Sequence, residues 1–171
     1  MHAARRLSVR LALVAALVAA LAVAAPAQAA ASPAEVRAYV RTLTPQMNEW
    51  HRLSRSVSDA LVAEPTVENG VRMTTLSIEF RQLAERTAKV RTPAAFRSGH
   101  RSLVVALRHT GRTLSLVGNE LIEGMPDEAA LTLVGRRAET MRLLVRVNAW
   151  KAQLRVAARR AGVAPPLWLR G

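Results

Sequence analysis

The 171-residue chain contains no cysteine, and that removes several chemistries at once. Disulfides, thiol nucleophiles, thiolate zinc sites, iron–sulfur clusters and c-type haem attachment all need that residue. The usual bacterial lipid-attachment site needs it too. Aromatics are scarce as well: three tryptophans, two phenylalanines and one tyrosine. Without aromatics interleaved among basic residues there is no platform for stacking single-stranded nucleic acid. Aspartate occurs only at Asp59 and Asp127, both near expected helix ends. There is no G-x-S-x-G elbow, no Gly-rich phosphate loop and no H-E-x-x-H motif. No stretch sustains period-two alternation, so no strand is expected. Together these absences argue against an enzyme.

The first 29 residues read as a cleaved signal peptide. "MHAARRLSVR" is a basic start carrying Arg5, Arg6 and Arg10, and "LALVAALVAALAVAA" is an uncharged apolar run. Ala27-Gln28-Ala29 then supplies an A-x-A cleavage site. The apolar run, residues 11–25, is shorter than the ~20 residues that cross a bilayer, and Pro26 ends it. The expected organisation is therefore a signal peptide over 1–29, a helical domain over 30–162 and an apolar C-terminal tail over 163–171. The mature chain would have no transmembrane segment and would be exported, to the periplasm or beyond. Absence of cysteine is compatible with an oxidising compartment for a domain that folds without bridges.

Charge is the other strong global feature. The whole chain carries 25 Lys+Arg against 12 Asp+Glu, a formal charge of +13. The signal segment holds three of the basic residues and no acid, which leaves +10 for the mature protein. Residues 30–90 have eight basic against seven acidic side chains, whereas 91–171 have fourteen against five. Lysine contributes only Lys89 and Lys151.

Prolines and caps divide the mature sequence into four long amphipathic segments. "SPAE" is a capping box, with Ser32 as N-cap, Pro33 at N1 and Glu35 at N3. Its apolar seam runs Val36, Val40, Leu43, Met47, Trp50, Ser54, Val57, Leu61. Pro45 lies inside it, which predicts a kink or a short entry helix. Thr66 is a candidate cap for the second segment, whose seam is Met73, Leu76, Phe80, Leu83, Thr87, Val90. "TP" at Thr92-Pro93 opens the third, with a seam from Phe96 through His100, Leu103, Leu107, Thr110, Leu114 and Val117 to Leu121. Gly124 and Pro126 mark a tight turn into the fourth, where Asp127 and Glu128 suit the helix N-terminus. That seam reads Leu131, Val134, Ala138, Met141, Val145, Asn148, flanked by Leu144, Val147, Trp150 and Leu154. Gly162 and Pro165-Pro166 stop it. Four such helices with short loops predict an all-α fold, an antiparallel up-down-up-down four-helix bundle. The tail "APPLWLRG" either folds over a bundle end or leaves Trp168 exposed as an anchor.

The seam histidine at His100 reads as a hydrogen-bonded core residue rather than a ligand. His109 is nine residues further on, so the two point to opposite sides of one helix and share no ligand. No glutamate stands three residues before His51, His100 or His109, so the di-iron bundle pattern is absent. The feature with the most functional content is a basic stripe. Arg97, Arg101, Arg108 and Arg112 fall within about a 60° arc of the third helix, away from its seam. The fourth helix adds Arg137, Lys151, Arg155 and Arg159 on one side and Arg142, Arg146 and Arg160 on another. We take Arg97, Arg101, Arg108, Arg112, Arg155 and Arg159 as a candidate anion-binding set. Its partner would be an anionic envelope polymer, a lipid headgroup or an acidic protein; export makes nucleic acid a poor first choice. The competing reading is a charged face that only keeps the protein soluble.

The pattern also resembles two groups of proteins. "TPAAFRSGH", a proline-led helix with a histidine a few residues in, is similar to small exported bacterial four-helix-bundle proteins of unassigned activity. "TPQMNEW" and "NAWKAQLR" resemble segments of the periplasmic four-helix b-type cytochromes, which hold haem b between a methionine of the first helix and a histidine of the last. That resemblance would place Met47 as one axial ligand, but Lys151 stands where the histidine belongs. A lysine ligates iron only when deprotonated, which a site open to water disfavours. His51, one turn after Met47, is the substitute the resemblance leaves. The expectation is thus a cofactor-free, non-enzymatic exported bundle, with a haem-binding or electron-transfer protein as the alternative.

Overall fold

The computed structural model describes residues 30–170; the expected signal peptide over 1–29 lies outside them. The described chain is all-helical: α1 (Pro33–Val62), α2 (Val67–Ala88), α3 (Arg97–Ile122), α4 (Pro126–Arg160) and a short α5 (Leu167–Arg170), with a 3-10 turn at Ala94–Phe96 before α3. Among the described residues there is no strand, and no helix is long and apolar enough to cross a membrane.

The helix boundaries follow from local chemistry. The Glu35 amide donates to Ser32 Oγ at 3.3 Å and the Ser32 amide to Glu35 Oε2 at 2.8 Å, so both partners of the capping box are made. Thr66 accepts from the Asn69 amide at the start of α2. Gly124 and Gly162 close α3 and α4 at φ +75° and +68°, a region that side-chain-bearing residues rarely enter. Two boundaries differ from expectation. α1 runs unbroken through Pro45, so there is no separate entry helix. Thr92 does not cap α3: its hydroxyl donates to the Val90 carbonyl, and the chain makes a 3-10 turn before α3 begins at Arg97. With no acid at N3, nothing reciprocates the Thr92 cap, and the shorter turn satisfies the backbone instead.

Each helix packs on its neighbour in sequence, most extensively α2 on α3 and then α3 on α4, and α1 meets α4 more sparsely. At one end Asn69 Nδ2 donates to the Ala60 carbonyl, and the Thr132 hydroxyl to Glu120. At the other the Arg37 guanidinium donates to the Ala161 carbonyl, and Tyr39 stacks on Phe96 at 5.7 Å. The α2–α3 crossing is close enough to need glycine. A Cβ on Gly118 would stand 2.5 Å from Thr74 Oγ1 and 2.8 Å from the Gly70 carbonyl oxygen.

The second seam is buried throughout, and the third except at half-buried Thr110. The first is buried from Val36 to Met47, but then Leu53 and Ala60 go inside while Leu61 is 46% exposed. The fourth seam is corrected more deeply. Leu131, Val134, Ala138, Met141, Val145 and Asn148 all face outward, and the core takes Ala129, Leu143, Val147, Trp150, Leu154 and Ala158. α4 carries apolar residues on two opposite sides, so periodicity alone names two faces. Burying Trp150 and Leu154 removes more apolar area from water than burying alanine and valine, and that decides which face turns in. The C-terminal tail is not a loose end. Trp168 and Leu169 are buried, Trp168 Nε1 donates to Thr44 Oγ1 at 3.2 Å, and Arg155 Nε donates to the Leu169 carbonyl at 2.7 Å.

Candidate functional site

Folding rearranges the charge. Residues 30–47, 79–109 and 143–170, which form the end where Tyr39 meets Phe96, carry fifteen Lys/Arg against three Asp/Glu. Residues 48–78 and 110–142 carry seven against nine. The excess therefore belongs to one end of the molecule rather than to the second half of the sequence. Arg52, Arg72 and Arg136, which pair with carboxylates, all lie outside the basic end.

Of the six candidate arginines, Arg97, Arg101, Arg108, Arg112 and Arg159 are exposed. Arg97 and Arg101 open α3 at the basic end, where Arg159 closes α4. Arg108 sits at mid-length, and Arg112 lies in the other half. Arg155 is half-buried and engaged with the Leu169 carbonyl, so it fastens the tail rather than presenting a guanidinium to solvent. Folding adds cations that were not singled out: Arg41 of α1, and Arg86, Lys89 and Arg91 at the end of α2, all exposed. A run of three basic residues within 86–91 was visible, but only the packing of α1 and α2 beside α3 and α4 makes it part of one surface.

The basic end also has a concavity. A cleft of about 560 Å³ lies between the first half of α1 and the α2–α3 connection. Arg91 and Arg97 line it with Thr42 and Thr92, and Tyr39 and Ala38 form its apolar side. Glu35 also lines it, its carboxyl held below the ordinary range by the hydrogen bonds from Ser32, with the Arg91 charge adding to the effect. Two guanidiniums lining one recess suit an anionic group with several acceptor oxygens; the Thr42 and Thr92 hydroxyls donate to the Ala38 and Val90 carbonyls.

Both core histidines are accounted for by neighbours. His100 is buried; its Nε2 donates to the Thr87 carbonyl at 3.0 Å, which leaves Nδ1 to accept from the Tyr39 hydroxyl at 2.9 Å. Burial holds its pKa below the ordinary 6.5, against an opposing contribution from the Thr87 bond. His109 faces the other way, with Nε2 at 3.1 Å from Thr140 Oγ1 and Nδ1 at 3.4 Å from Glu139. It lines an apolar cavity of about 220 Å³ among α1, α3 and α4, with Phe80 of α2 also in its wall.

The haem alternative pairs Met47 with His51 or with Lys151, and the three sit in different surroundings. Met47 is closed inside the core at 1% exposure. His51 is exposed, stacks on Trp50 and lines a surface cleft with Asn48, Ser54, Arg55, Ser58, Leu167 and Trp168. Lys151 is half-buried, and its charge helps lower the His51 pKa after the larger effect of burial. Burial in turn lowers Lys151, with Arg155 adding to it. A thioether enclosed in the core and an imidazole on the surface do not fit one haem as opposed axial ligands. Among the described residues no group of three or more His, Asp or Glu is placed to hold a metal ion.

No protein-family model matches the chain, and no curated protein or solved structure is significantly similar to it.

Proposed function

We propose that the protein is an exported, antiparallel up-down-up-down four-helix bundle without enzymatic activity or cofactor, which binds an anionic polymer of the cell envelope through its basic end. The observation that carries this reading is the fifteen-to-three excess of cations at one end, around a recess lined by Arg91 and Arg97. Exposed cations on a rigid frame attract a polyanion over several ångströms and release its counterions on contact. Arg97, Arg101 and Arg159 from the original set belong to this surface, and Arg86, Lys89 and Arg91 extend it. The basic start, apolar run and A-x-A site of residues 1–29 support export.

Linear polyphosphate is the probe for the test. Binding at low ionic strength should weaken steeply as salt is added. The Arg91→Glu/Arg97→Glu variant should bind at least about tenfold more weakly, since each lost contact removes a charge-assisted hydrogen bond. Arg72→Glu, at the opposite end, should bind as the parent does. Equal affinity for the two variants would show that the basic end is not the site.

A further inference from the structure

The face of α4 that turned out to be outward is built like a helix seam. Leu131, Val134, Met141 and Val145 are 71%, 71%, 54% and 64% exposed, and Val156 extends the line at 49%. Between them the intervening positions are the small residues Ala138, Ala149 and Ala152, also exposed. The spacing from Leu131 to Val145 alternates three and four, the repeat by which one helix meets another. A broad greasy face would suffice for a lipid surface; this narrow stripe of roughly 39 Å is a contact for one more helix. The inner side of α4 is taken by Leu143, Val147, Trp150 and Leu154 packing into the core, and among the described residues no other helix covers the stripe.

Charge along α4 says which helix fits. Asp127 and Glu128 stand in its first turn and Arg159 and Arg160 in its last. Two copies of α4 laid antiparallel about a centre between Leu143 and Leu144 place Leu131 opposite Val156 and Ala138 opposite Ala149. The same register brings Asp127 opposite Arg160 of the partner subunit and Glu128 opposite Arg159 of the partner subunit. A parallel pair would set acid against acid at one end and arginine against arginine at the other. We propose that the outward face of α4 is a homodimer interface, on which a second copy of this chain pairs antiparallel. The register has two unfavourable features, Arg142 opposite Val145 of the partner subunit and Met141 opposite Arg146 of the partner subunit; they bring Arg142 beside Arg146 of the partner subunit, and that makes the register testable. The interface does not depend on the anion-binding reading.

Sedimentation of the purified protein should show a dimer that Val134→Asp/Val145→Asp converts to monomer. Both side chains are exposed, so the variant's melting by circular dichroism should report an intact fold. Loss of two apolar contacts raises the dissociation constant at least about tenfold. Arg142→Glu should tighten the dimer, since it replaces a repulsion with a pair to Arg146. Because the chain has no cysteine of its own, Ala138→Cys and Ala149→Cys chains should oxidise to a mixed disulfide with each other and not to themselves. Self-linked Ala138→Cys would refute the antiparallel register. A monomer at every concentration would overturn the proposal, as would a monomer that binds anionic lipid vesicles through Val134 and Val145.

Discussion

Replacing Gly118 with alanine pits two effects of known size against each other. In an unpacked helix the change is favourable by about 1 kcal/mol, because glycine loses more backbone freedom on folding. At Gly118 the added methyl would meet Thr74 Oγ1 at 2.5 Å and the Gly70 carbonyl oxygen at 2.8 Å. One of those is backbone, so α2 and α3 must move apart, and overpacking of this kind costs about 1–3 kcal/mol. With the propensity gain set against it, we expect Gly118→Ala to lose about 0–2 kcal/mol. Gly135 of α4 is the control: it is helical and exposed, with no atom within 4 Å of an added Cβ. Gly135→Ala should therefore gain about 0.5–1 kcal/mol. Urea unfolding followed at the helical dichroism band measures both. Gly70→Ala/Gly118→Ala should cost less than the sum of its parts, because one separation of the helices relieves both clashes. If Gly118→Ala stabilises the protein as much as Gly135→Ala does, the close α2–α3 crossing is wrong.

The remaining predictions concern the core and the tail. His100→Leu leaves the Tyr39 hydroxyl and the Thr87 carbonyl short of a partner and should cost about 1–3 kcal/mol in thermal or urea unfolding, while polyphosphate binding by the folded variant stays as in the parent. The folded-state pKa of His100 lies below 6.5, so the unfolded chain takes up the proton first as pH falls. Its contribution is complete above 6.5 and is lost below it, down towards the folded-state pKa; melting from about pH 7 to about pH 5 should show a decline that His100→Leu makes shallower. Trp168→Ala should cost about 3–5 kcal/mol and expose the C-terminus to proteolysis; an unchanged melting curve would mean that the tail is not part of the core.

The sequence disclosed the helices because their signals are local. Ser32 with Glu35, Thr66, Gly124 and Gly162 each act within one turn, and each sits at the boundary it marked. Seams two and three were legible because each of those helices has a single apolar side. α4 has two, and the choice between Val147 with Trp150 and Val134 with Val145 depends on how much area the rest of the fold can cover. Arg97 and Arg101 could be placed on an exposed face from spacing alone. Their association with Arg91 could not, since it arises where the α2–α3 connection meets α1. Arg155 was legible as a cation on the correct side of α4, but not as the donor that holds Leu169, because the tail's path is not periodic.

The gathering of cations at one end has an effect before any contact is made. A rod charged at one tip and nearly neutral at the other feels a torque near a negatively charged wall, on a scale set by the screening length of about 8 Å at physiological salt. It would arrive standing on its α2–α3 connection, with the α1–α2 and α3–α4 turns held away from the wall. A second copy paired antiparallel along α4 would carry its own basic tip away from that wall, so a dimer would present one such tip at each end.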